Sequence, residues 1–103
     1  MEIIKKLSGM ISEEIADAKK YAKCALHYKE DRPELARTFD ALSRQEMEHM
    51  QVLHNSVVGI IDEAKRSGVV VPPGMMEAWD ILHEMHIEAA AEVKAMQAMF
   101  RGT

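Results

Sequence analysis

The chain has a single cysteine, Cys24. That excludes an intrachain disulfide and makes a reducing cytoplasm the default setting, with Cys24 expected to be a buried small residue. Long apolar runs are also missing. The N-terminal stretch MEIIKKLSGM lacks the continuous apolar core of a signal peptide. Elsewhere charges interrupt every segment before it reaches the roughly 18 to 20 residues that cross a bilayer. Basic blocks are absent as well. Thirteen Lys and Arg stand against 17 Asp and Glu, a net charge of -4, which leaves no electrostatic footprint for nucleic acid or an anionic membrane surface. Neither partner is expected. Strand alternation does not occur outside the brief apolar run at residues 69–71, so the fold class is all-α.

The 103 residues, 48% of them hydrophobic, have the size and composition of one small domain with a single core. Two breaks divide it. In KEDRPEL, Asp31 followed by Glu34 reads as a capping box, and Pro33 fits only the first turn of a helix. In RSGVVVPPGMM, Gly68 can cap a helix C-terminus, and Pro72 with Pro73 bars helix continuation. The expected organisation is one domain over residues 1–103, with helices at about 2–30, 32–67 and 75–101 and a linker at 68–74.

Apolar residues recur at helical spacing in each segment. Ile4, Leu7, Ile11, Ala18, Tyr21, Ala25 and Tyr28 form the first stripe. The second is Leu35, Phe39, Leu42, Leu53, Val57, Ile60 and Ala64; the third is Met75, Ala78, Leu82, Met85, Ala89, Met96 and Met99. Ionisable groups interrupt all three. Glu14 falls between Ile11 and Ala18, Glu46 and His49 between Leu42 and Leu53, and Glu92 between Ala89 and Met96. A carboxylate removed from water without a partner costs several kcal/mol, so a buried one is normally paired, protonated or bound to metal. No Lys or Arg occupies these inner registers.

Heights along the helices agree with a shared site. A tight turn near residue 31 makes the first two helices antiparallel and leaves Glu14 and Glu46 at 17 and 15 residues from it. A linker of roughly 7 residues spans about 25 Å at most, too short to run back along a helix of about 45 Å. The third helix therefore returns antiparallel to the second, in an up-down-up bundle, and brings Glu92 near Glu46 and His49. Glu46 and His49, three apart, project from one helix face. Carboxylate oxygen with imidazole nitrogen suits iron, manganese or zinc, and iron is the first choice. The plainer reading makes Glu46 and His49 a hydrogen-bonded or interfacial polar pair. For Glu14 it is a late helix start near Ser12, where a carboxylate complements the N-terminal dipole.

The residues Glu14 in EEIADAKKY, with Tyr21 two turns on, and Glu46 with His49 in QEMEHMQ resemble the ferritin-like superfamily, rubrerythrin-type domains in particular. The resemblance covers about residues 10 to 66. It implies that a Glu from one helix and a Glu-x-x-His pair from its neighbour form half of a di-iron site. It also implies ferroxidase or peroxide-linked redox chemistry, with Tyr21 close behind the ligands. The chain departs from the family by having one Glu-x-x-His and three helices instead of four. Two remedies stand open. As in encapsulated ferritins, which look similar, a second copy could complete the site across a two-fold axis, making the protein a homodimer or larger homo-oligomer. Alternatively, Glu92 completes a single-metal site within one chain. The competing function is a non-enzymatic helical oligomerisation or interaction module without metal. His83 and His86 share a face with Trp79, Val93 and Phe100. For these two a surface or interface role leads, with a contribution to a site with Glu84 or Glu88 as the alternative; for His54 a structural role leads, and for the nine methionines core filling.

Overall fold

The computed structural model describes residues 1–102 and leaves Thr103 outside the description. It contains three long helices, α1 (Glu2–Tyr28), α2 (Pro33–Arg66) and α3 (Pro73–Arg101), and no strand among the described residues. The bundle measures 56 × 21 × 18 Å, its length set by the longest helix. Ser43 of α2 meets Ala18 of α1 and Phe39 meets Tyr21, so these two helices are antiparallel. Ser12 meets His86, Lys19 meets Glu92 and Lys29 reaches Met99, so α3 runs parallel to α1. α1 is the centre of the arrangement, packed by α2 on one side and α3 on another, while α2 and α3 touch only lightly.

Punctuation in the sequence places the helix ends, with one correction. Pro33 and Pro73 each open a helix, where the missing N–H is not needed and the fixed φ is already helical. The capping box of Asp31 and Glu34 does not form: Arg32 is the N-cap residue of α2, with no side-chain hydrogen bond to the exposed amides. After α2, Gly68 adopts φ 75°. Its N–H donates to the Lys65 carbonyl at 3.4 Å, and the Val69 N–H donates to that of Ala64 at 2.9 Å, the paired bonds of a glycine-terminated helix. α1 is continuous from Glu2, which puts Glu14 three turns inside it and removes the late-start reading.

Ile4, Ile11, Ile15 and Ala18 of α1, Val57 and Ile61 of α2, and Trp79 and Val93 of α3 make up the core. Each buried Val, Ile or comparable side chain contributes about 1.5–3 kcal/mol relative to exposure. Towards the first turn the residues become small. Ala18, Ala22, Ala25 and Ala36 are all buried, and the close approach lets Ser43 Oγ donate to the Ala18 carbonyl at 2.7 Å. The Gln97 amide donates to the same Oγ at 3.0 Å, tying all three helices together.

The third stripe needs correcting. Met85 and Met99 are exposed, while Trp79, His86, Ala90 and Val93 are buried. α3 is thus turned by about one residue, or 100°, from the methionine register. The face carrying the histidines looks inward instead. His86 is therefore a core residue with 7% exposure, and Cys24 is only half-buried.

Candidate metal centre

Glu14 lies mid-way along α1 and Glu46 with His49 mid-way along α2, at similar distances from the turn that reverses the chain. The structure brings these three together. One donor atom from each lies within 4.8 Å of the others. His49 Nδ1 stands 3.6 Å from Glu14 Oε2 and 3.8 Å from Glu46 Oε1. The two carboxylate side chains are largely buried, with 25% and 20% exposure, whereas the imidazole is 59% exposed. The group is thus set between two helices with one side open to solvent.

The electrostatics are unbalanced. Among the described residues the ion pairs of Glu14 and Glu46 are with His49 alone, and Glu14 Oε2 is buried with no hydrogen-bond partner. The Glu46 carboxyl is held above its ordinary range. The first cause is the Glu14 carboxyl, whose hydrogen bond favours a proton on Glu46; burial and the Glu14 charge follow, His49 opposes, and Asp17 adds a smaller push. Two carboxylates and an imidazole, with an orphaned oxygen between them, fit the donor set of a divalent cation, whose charge would balance both acids.

Glu92 is not among them. Its side chain is 52% exposed and accepts an ion pair from Lys19 Nζ at 2.9 Å, and Lys19 lowers its affinity for a proton. The rotation of α3 accounts for this. With Ala90 and Val93 turned towards the core, Glu92 falls on the outer flank where Lys19 can meet it. Tyr21 is about 10 Å along the axis from Glu14 and stacks on Phe39, centroids 6.2 Å apart, so its ring belongs to the aromatic packing near the turn.

The site lies on the flank of α2 away from α3. It is Ser43 and His54 that meet α3, through Gln97, Trp79 and His83. Glu46 and His49 are turned about 60° and 120° from Ser43 round the helix, to the side that meets Glu14. Leu42 and Leu53, one turn to either side of them, are half-buried, and Leu35 is exposed.

Ser12 was not legible as a partner of His86, which it contacts at 2.8 Å. The available signal was the spacing of Trp79, His83 and His86 on one face.

A helical bundle with a carboxylate and histidine cluster between antiparallel helices defines the class of ferritin-like proteins. A family model described as Rubrerythrin matches residues 5–101, and the chain belongs to the rubrerythrin family. No curated protein and no solved structure gives a match.

Proposed function

We propose that the protein is an iron-binding member of its family in which Glu14, Glu46 and His49 hold the metal, and that two copies pair to form a di-iron carboxylate centre. The observation that carries this is the buried Glu14 Oε2, without a hydrogen-bond partner, beside Glu46 and His49. A buried carboxylate oxygen left unpaired is costly in a protein that has no use for it. Family membership supports iron over manganese or zinc.

Iron supplies reversible one-electron chemistry towards dioxygen or peroxide, which is the ferroxidase or peroxide-linked activity assigned here. The chain's own residues do the rest. Glu14 and Glu46 balance the cationic charge, and the His49 nitrogen sets the third direction of approach. Glu46 must release its proton for the cation to bind, so binding weakens as pH falls.

One chain provides one Glu and one Glu-x-x-His, and α3 brings no third carboxylate to them. The flank that carries the site faces away from α3 and is framed by Leu35, Leu42 and Leu53, which supports pairing with a second copy through α1 and α2. No helix among the described residues is long and apolar enough to cross a membrane. A reducing cytoplasm suits the reading, since Cys24 is free.

The test is anaerobic ferrous loading, desalting and metal analysis by mass spectrometry for the wild type and His49→Ala. Near one iron per chain, lost in the variant, is expected, followed by a visible absorbance change in air. No iron in either protein would move the assignment to the metal-free interaction module.

A further inference from the structure

A second cluster of nitrogen donors lies in the groove between α2 and α3, on the opposite flank of α2 from the acidic site. A cavity of about 270 Å³ opens there, and its lining includes Met50, Gln51, His54, His83 and His86. The rings are ordered against one another. His54 and His83 are 4.8 Å apart between centroids, and Trp79 lies 5.5 Å from His83 and nearly parallel to it.

His86 is 93% buried, being 7% exposed, and its hydrogen bonds define which nitrogen is available. Ser12 Oγ donates its one hydrogen to the Ser8 carbonyl at 3.2 Å. The same Oγ lies 2.8 Å from His86 Nε2, so that ring nitrogen is engaged. The other, Nδ1, is buried and without any hydrogen-bond partner. An imidazole anchored through one ring nitrogen and free at the other is the usual arrangement of a metal-ligating histidine.

The geometry points to a second metal site in which His86 Nδ1 and His83, closed by His54, take a divalent late transition ion of the cobalt, nickel, copper and zinc class. Imidazole nitrogens without carboxylates favour such borderline ions over calcium or magnesium. Among the described residues only Glu14, Glu46 and His49 already gather their donors within 4.8 Å. Closing the histidine site therefore needs the His54 and His83 rings to turn about χ2, a broad torsion. The one cationic side chain on the cavity wall, Lys94, is two turns beyond His86, about 12 Å along the axis.

Trp79 is the sole tryptophan and reports on the site through its contact with His83. The experiment titrates Co²⁺ into a Glu46→Gln, His49→Ala background that lacks the acidic site, following Trp79 emission and the visible cobalt bands. One equivalent per chain should bind, with saturable quenching of at least about twofold. Adding His83→Ala or His86→Gln should abolish it. Ser12→Ala, which removes the anchor of Nε2, should weaken binding about 10–100-fold. Far-UV circular dichroism checks folding, and His83→Ala, at a half-buried position, decides the matter if His86→Gln loses helicity. Absence of saturable quenching in the background variant, or equal quenching after His83→Ala, would overturn the assignment. Because the acidic ligands are already removed, failure here leaves the iron reading untouched.

Discussion

Replacing Glu46 by glutamine should make the metal-free protein more stable at neutral pH while destroying the proposed metal site. Glu14 and Glu46 bring their oxygens within 4.8 Å. Two unit charges at that separation repel by about 0.9 kcal/mol in water and about 3.5 kcal/mol at an effective dielectric of 20. With a fifth to a quarter of each side chain exposed and His49 alongside, solvent and imidazole screening favour the lower end, about 1 kcal/mol. Glutamine removes the repulsion and offers an N–H to the unpartnered Glu14 oxygen. For a domain of this size the gain is about 4–8 °C in Tm. The pH dependence has a definite sign. Glu46 binds its proton more tightly in the folded state than its ordinary 4.5 implies. The stability linked to that proton is present below 4.5 and lost as pH rises through the folded value. The advantage of Glu46→Gln should therefore be full near pH 7.5 and vanish near pH 4, where the native carboxyl is already protonated. Thermal melts in chelator, at fixed protein concentration, measure it. A variant that melts below wild type at pH 7.5, or whose advantage grows on acidification, would refute the reasoning.

Other consequences follow from single contacts. Ser43→Ala removes a fully buried hydroxyl that bonds both Ala18 and Gln97, and should lower Tm by about 5–10 °C. Gly68→Ala forces a side chain into φ 75° and should cost about 1 kcal/mol, read as a lower urea midpoint at unchanged slope. Glu92→Gln breaks only an exposed ion pair with Lys19, so iron content per chain should match wild type; a loss of iron would place Glu92 in the site after all.

The antiparallel pairing of α1 and α2 and the level of Glu14 with Glu46 were legible because both depend on counting residues from one turn, and a tight turn fixes that count. The rotation of α3 about its own axis was not. Its apolar residues surround most of the helix, so the Met75 to Met99 stripe and the Trp79 to Val93 face compete in periodicity. Packing decides between them: α1 takes the face with the bulk of Trp79 and the branched Val93, and leaves Met85 and Met99 to solvent. The expectation that Glu92 would meet Glu46 depended on the Met75 to Met99 stripe and failed with it. Ser8 and Ser43 also escaped a pattern that counts only apolar residues, though both are buried and satisfied by helix carbonyls. The histidines at 54, 83 and 86 were visible as residues, but their convergence required the α3 register.

Native mass spectrometry of protein loaded anaerobically with ferrous iron tests the central claim most directly, because it reads copy number and metal count in one species. The account predicts a dimer carrying two irons, with Glu14→Gln giving a species without them. A loaded monomer would contradict the shared centre, and a dimer free of iron would contradict the metal assignment itself.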